Sequence, residues 1–272
     1  MARPLPSGIS FARLILPAWT IAVLVFLYLP IVLLVVYSFN NSDRNLDLSA
    51  AWRGFTLRWY GQIWQDEQLT LAVENSLIIA AATTLVSIVL GTGAAWMLHR
   101  FRFPLAGGLR TLVLLPMIIP EIIMGVSLML LFRAVGLQRG YVTVVVAHVT
   151  FCFPFVMAAV QARLAGLDPS LEEAALDLGA TPRQAFFRVI VPYLLPAIVA
   201  GGLLAFTLSI DEFMVTYFTC DAQSTTLPVK IYTAVRSGLK PTLNAVSTLF
   251  IVGTTVLVLV SDAVNSRARK RQ

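Results

Sequence analysis

The chain has 272 residues, of which 58% are hydrophobic and only 12% charged, against roughly 25% charged in an ordinary soluble domain. That balance excludes an ordinary water-soluble domain and places most of the chain in a bilayer. The net charge of +6 does not indicate nucleic acid, because the basic residues are not gathered on one soluble face; they read as signals of membrane orientation.

Six apolar segments are long enough to cross a bilayer, which takes roughly 20 residues. They cover residues 14–39, 76–98, 111–132, 141–160, 193–217 and 245–264. No repeat or linker divides them, so residues 1–272 are predicted to form a single all-α transmembrane domain. The first segment is too long, and begins too far in, for a cleavable signal peptide, and reads as a retained anchor. At about 26 residues it would measure ~39 Å as a straight helix, so it must tilt or extend into the headgroups. Residues 40–69 follow as an external segment, with WRGF and LRWYGQIW supplying aromatics suited to the membrane interface.

The third segment carries LLPMIIP, where Pro116 and Pro120 remove two backbone donors and predict a break or kink. Glu121 comes next; counted along a helix from Thr111 it lies ~15 Å in, near mid-membrane. His148 in the fourth segment could relay protons. It has no partner close by in sequence, which favours a hydrogen-bonded core histidine. Asp211 and Glu212 lie in the outer part of the fifth segment, after Pro196. Residues 220–243 form a second external loop, whose Leu-Pro and Ser-Gly steps suit a bent or re-entrant element or a plain surface loop. Cys152 and Cys220 show no metal-ligand or redox spacing. Glu74 and Asp262 sit near segment ends and read as interfacial.

Basic residues set the orientation. With the N-terminus inside, the cytoplasmic side holds Arg3, Arg13, Arg100, Arg102, Arg110, Arg163, Arg183, Arg188, Arg267, Arg269, Lys270 and Arg271, twelve in all. The other side holds the remaining eight, Arg44, Arg53, Arg58, Arg133, Arg139, Lys230, Arg236 and Lys240. The bias predicts both termini inside and places residues 163–192 in the cytoplasm.

Within that loop, LEEAALDLGATPRQAFFRVIVP at Leu171–Pro192 is polar and acid-bearing between two apolar runs. Ser170 with Glu173 predicts a capping box, and Thr181 with Gln184 repeats it with Pro182 at the first helical position. Gly179 stands where a left-handed residue would end the first helix. Two short capped helices are therefore predicted, exposed for another protein to grip. No P-loop is present: Lys230, Lys240 and Lys270 follow valine, leucine and arginine, not glycine. Nucleotide-driven work would need a second polypeptide.

Glu173-Ala174-Ala175, three residues, Gly179, and then Val189, Val191 and Pro192 resemble the EAA loop of inner-membrane permeases from binding-protein-dependent ABC importers. Valine replaces the usual isoleucine and leucine. YSFN at Tyr37–Asn40, RWYG at Arg58–Gly61 and AFTLSIDEF at Ala205–Phe213 extend the resemblance to the spermidine/putrescine permease subfamily, with Glu212 where a second aspartate is common. The resemblance implies six transmembrane helices in the type I, MetI-like architecture, in a bacterial inner membrane. It implies a coupling helix seated on an ATPase subunit, with Ala174 and Ala175 allowing close approach and Glu173 and Asp177 offering charge. It further implies two ATPase copies that bind ATP and Mg, a second related permease subunit and a periplasmic solute-binding protein. No cofactor, metal or catalytic residue is expected in this chain.

A carboxylate at the bilayer centre costs ~2.5–3.5 kcal/mol on insertion scales, so Glu121, Asp211 and Glu212 should face the bundle interior or a watery path. No basic residue within a span can pair with them, and a cationic solute such as a polyamine would. Neighbouring helix positions point ~100° apart, so Asp211 and Glu212 cannot both face the path, and Asp211 matches the subfamily pattern. Hydrogen-bonded helix glue is the structural alternative for all three. Trp96, Tyr141, Phe151, Phe153 and Phe155 could add aromatic faces but read first as packing. A different solute, such as an opine or metal complex, remains open. So does an ion-coupled secondary transporter, which gives no reason for the EAA spacing. An intramembrane enzyme lacks its motifs: the two histidines, His99 and His148, form no HExxH pair, and no Gly-x-Ser-x-Gly turn occurs.

Overall fold

A backbone surrounded by hydrocarbon must satisfy its own donors and acceptors, and helices do so within each segment. The computed structural model describes residues 9–42, 52–101, 103–237 and 241–270. Among them regular structure is helical, with one isolated bridge from Asn40 to Phe55. Arg3, Arg44, Arg102, Lys240 and Arg271, used above to orient the chain, lie outside the described residues.

In chain order the helices are α1 (Ile9–Tyr37), α2 (Arg58–Ile63), α3 (Glu67–Arg100), α4 (Ala106–Leu114), α5 (Glu121–Ala134) and α6 (Tyr141–Leu164). They continue as α7 (Ser170–Asp177), α8 (Pro182–Ala185), α9 (Val191–Asp211), α10 (Met214–Thr219), α11 (Leu227–Ser237) and α12 (Pro241–Lys270). A 3₁₀ turn, Leu115–Met117, extends α4, and a π turn, Phe186–Ile190, joins α8 to α9. Among the described residues, five helical stretches are long and apolar enough to cross a membrane, or six if the bent pair α4–α5 counts as one span.

Several predicted boundaries move for local reasons. α3 begins well before residue 76, because the Asp66 carboxylate accepts the N–H groups of Gln68 and Leu69 at 3.1 Å and starts the helix there. The third span is not one helix: its halves meet at 106° around Pro120, so a depth for Glu121 counted along a straight helix does not apply. The fifth segment ends at Asp211, where Glu212 turns extended, and α10 is a separate short helix. The second external loop is partly helical, as α11.

Contacts divide the chain into two units, Met1–Gln65 with Ala234–Phe250, and Asp66–Thr233 with Ile251–Gln272. In the first, α1 is apolar, and its residues 15–32 are exposed. The YSFN and RWYG motifs close on each other there. The Trp59 indole N–H donates to the Asn40 carbonyl at 2.8 Å, and Ser38 Oγ lies 2.7 Å from the Tyr60 hydroxyl. Trp59 is thus buried, not an interfacial anchor, whereas Trp52 and Trp64 stay exposed.

In the second unit α3, α6 and α9 pack together around Ala95, Met157, Val160, Ile190 and Leu194. Small residues let these backbones approach, as in other membrane bundles. At Gly91 an added Cβ would stand 2.7 Å from Val156 Cβ and 2.9 Å from the Phe153 carbonyl oxygen. Two residues on, the same addition at Gly93 meets nothing within 4 Å. Gly91→Val should therefore cost ~1–3 kcal/mol through overpacking and lower the melting temperature of the purified protein, while Gly93→Val should leave it unchanged.

Candidate functional site

Two places concentrate the candidate residues: the segment between α6 and α9, and the breaks that flank α5 and α10. In the first, the pair of separate short helices resolves differently from its sequence pattern. α7 stands alone, and its first turn is not closed by a Ser170–Glu173 box. Asp168 does that work, accepting the Ser170 N–H at 2.9 Å, and this hydrogen bond holds its carboxyl below the usual range. Ser170 is already inside the helix, so its side chain cannot act as the cap. Gly179 ends α7 with φ +86°, the left-handed conformation predicted for it.

The Thr181–Gln184 box is present: Thr181 N–H donates to Gln184 Oε1 at 2.9 Å and Gln184 N–H to Thr181 Oγ1 at 3.3 Å. Yet α8 does not stop before the membrane. It runs through the π turn into α9, with the Val191 N–H reaching the Phe186 carbonyl. Pro192, which has no N–H to donate, follows directly, and a π turn is how a helix absorbs a missing donor without ending. Pro182–Asp211 is therefore one continuous rod that begins at the capping box.

On α7, Glu173, Ala174 and Asp177 are exposed and Ala175 is half-buried. Leu171, Ala174 and Leu178 form an exposed stripe at helical spacing, with Leu178 89% exposed. The spacing of 171, 174 and 178 was legible, but the EAA pattern drew attention to the neighbouring acids. Arg100 Nε and Glu172 Oε1, 3.2 Å apart, link α7 to the end of α3. Arg163 stacks 4.3 Å from the Tyr193 ring centre, and the Tyr193 hydroxyl donates to the Gly166 carbonyl. The partly exposed ion pair contributes roughly 0–1 kcal/mol; its use is to orient α7 against α3.

At the second place, Pro120 and Glu212 each interrupt a helix. Glu121 is the first residue of α5 and is exposed. Asp211 is the last residue of α9 and is exposed, while its neighbour Glu212 is buried at 4%. The Glu212 carboxylate turns to cap α10, accepting the Val215 N–H at 2.7 Å. α10 lies on α5 closely enough that a Cβ on Gly125 would stand 2.9 Å from the Phe218 ring and 3.2 Å from Val215 Cα. Gly125 is one turn beyond Glu121, so this contact brings the breaks together. Among the described residues, no ion pair involves Glu121, Asp211 or Glu212.

An aromatic triad adjoins the acids. Phe213, Tyr217 and Tyr232 have ring centres 4.8 to 5.9 Å apart, and both tyrosines are exposed. Sequence reasoning missed them, although Phe213 and Tyr217 stand four apart directly after the acids. Four of the five aromatics it named make structural contacts: Trp96 packs on Phe186, Phe151 meets Phe155 edge-on, and the Tyr141 hydroxyl donates to Asn75.

The sequence profile described as "Binding-protein-dependent transport system inner membrane component" matches residues 87–271. The chain belongs to this family. It is 40% identical over 265 residues to the putrescine transport system permease protein PotI of Escherichia coli K12, covering 93% of each chain. It is 36% identical over 255 residues to the spermidine/putrescine transport system permease protein PotC of the same strain, covering 93% of this chain and 94% of that one. The fold superposes on a chain of a bacterial ABC transporter involved in the import of alginate, with a TM-score of 0.71 at 18% identity over 94% of this chain and 95% of that one. On the MetNI methionine ABC transporter the TM-score is 0.60 at 20% identity over 78% of this chain and 99% of that one.

The chain is thus a multi-pass membrane protein with the fold of a type I ABC importer permease. The family match includes every candidate residue, from Glu121 to Asp211 and Glu212 and through the EAA loop. A concrete expectation concerns Glu212. Glu212→Gln keeps an oxygen for the Val215 N–H and should retain the melting temperature, whereas Glu212→Leu removes the cap and should cost ~1 kcal/mol or more. Thermal unfolding of the two purified variants makes the comparison.

Proposed function

We propose that this chain is the permease subunit of an ABC importer for small polycations of the polyamine class, putrescine or spermidine. Two ATPase copies carrying ATP and Mg drive it, a second, related permease completes the path, and an external solute-binding protein delivers the cargo. Both termini lie in the cytoplasm. The chain itself performs no bond chemistry. The observation that carries this reading is the meeting of two helix breaks with carboxylates at both and no described cation to neutralise them. The names of the curated relatives support the same solute class.

The acids divide the work. Exposed Glu121 and Asp211 offer carboxylate oxygens to ammonium groups, and Glu212 keeps α10 capped. The tyrosine faces of the triad offer cation–π contact, worth ~0.5–2 kcal/mol as the ammonium is desolvated. Several weak sites suit transport, because a solute bound too tightly at one of them would not leave. α7 receives the motion of the ATPase, and the rod that begins at Thr181 carries it to Asp211 without a flexible joint. In this arrangement α7 joins one end of the rod through the Gly179 turn, and the solute-facing acid stands at the other.

Each ammonium–carboxylate contact contributes ~1.5–3 kcal/mol, or roughly 10- to 100-fold in affinity. Glu121→Gln and Asp211→Asn should each raise the KM for labelled putrescine by about that factor in proteoliposomes holding the full complex. Unchanged KM in both variants would remove the acidic path from the mechanism. For coupling, Leu178→Asp puts a charge into the proposed ATPase contact. It should cut solute-stimulated ATP hydrolysis at least tenfold while the chain still reaches the membrane, and full stimulation would place the contact elsewhere.

A further inference from the structure

His148 is fully buried in α6, yet both ring nitrogens are engaged. Nδ1 lies 2.7 Å from Ser209 Oγ, in the last turn of α9, and Nε2 lies 2.7 Å from Thr216 Oγ1, in the first turn of α10. The two partners flank the Asp211–Phe213 break. Thr216 also donates its single hydroxyl proton to the Glu212 carbonyl at 3.1 Å. A carbonyl only accepts, so Thr216 has no proton left for the imidazole and must accept one from Nε2. Nδ1 is then the acceptor for the Ser209 hydroxyl. For a neutral ring this is the one arrangement of protons in which every contact joins a donor to an acceptor.

We infer that His148, as the neutral Nε2–H imidazole, is a positioning residue that clamps α9 to α10 across the break and so sets where Asp211 and Glu212 stand relative to Glu121. The hydrogen bonds run in one direction, from Ser209 to His148 to Thr216 to the Glu212 carbonyl. No other described side chain bonds to residues on both sides of the break. The ring touches none of the three candidate carboxylates, so it acts through the backbone angle and not on the solute. A proton relay is a poor alternative: each end of the chain is a hydroxyl or a carbonyl, and neither is a group that titrates.

The effect on transport rests on the polyamine reading; the clamp itself does not. Four substitutions separate positioning from packing in the full complex. His148→Leu fills the space but loses both bonds, and should raise the putrescine KM about tenfold while kcat changes less than threefold. His148→Gln keeps a donor for Thr216 and should recover most of that loss. Thr216→Val and Ser209→Ala should each raise KM in the same direction. His148→Leu with Thr216→Val should be no worse than His148→Leu alone, because both remove one shared bond. Multiplying effects, or a change confined to kcat, would overturn the clamp.

The tautomer is read without substrate. A chain carrying ¹⁵N-histidine and His99→Gln, reconstituted with unlabelled companion subunits, leaves one histidine signal in this subunit. A protonated Nε2 with a bare Nδ1 is expected, and an Nδ1–H form or an imidazolium would sink the assignment. Should the unaltered complex move no polyamine, the solute reading fails, while this spectrum still decides on the clamp. A variant that fails to fold leaves the spectrum of the native ring as the deciding result.

Discussion

In hydrocarbon no water waits to satisfy a broken helical turn, so every interruption must be closed from within the protein. That constraint organises what is functional here. At the α9–α10 break the Glu212 carboxylate accepts a backbone N–H, and Thr216 covers a carbonyl. Ahead of α9 a π turn accommodates Pro192. Asp66 closes the start of α3 with its carboxylate. These polar residues therefore stand where the backbone changes direction, and a cluster of polar groups is also what a charged solute needs.

The same economy explains why one acid is buried and its neighbour exposed. Two adjacent carboxylates at a helix end cannot serve the same face, and the chain separates their tasks. Glu212 turns inward to satisfy backbone, which leaves Asp211 to face outward. Gly125 is the counterpart on α5: without a side chain there, α10 approaches closely enough to bring the two breaks together. The exposed acid and the backbone cap are consecutive residues, so a substitution at this break acts on both unless it preserves the hydrogen-bonding atom.

Much of the segment between α6 and α9 was legible because it is local. Thr181, Pro182 and Gln184 form a box through contacts three residues apart, and Gly179 needs only its own φ to end α7. The errors there were local too: Asp168 displaced Ser170 as the cap, two residues upstream, and Pro192 bent the hydrogen-bonding pattern without stopping the helix. The acidic site was half legible. Its members stood out as unpaired acids in apolar runs, but no pattern in the chain joins residue 121 to residue 212 or adds Tyr232 to Phe213 and Tyr217. His148 illustrates the limit, since its two partners lie 61 and 68 residues away.

Composition and period alone determined that this is a helical membrane protein, that helix breaks fall near Pro120, and that an exposed, capped element precedes the fifth span. These follow from transfer energies and backbone chemistry acting over a few residues. Tertiary structure decided which acid is buried, that α8 and α9 are one rod, and which side chains meet across the breaks. The reason is geometric: a helix offers each residue one direction, and only the packing of its neighbours settles whether that direction holds backbone, lipid or solute.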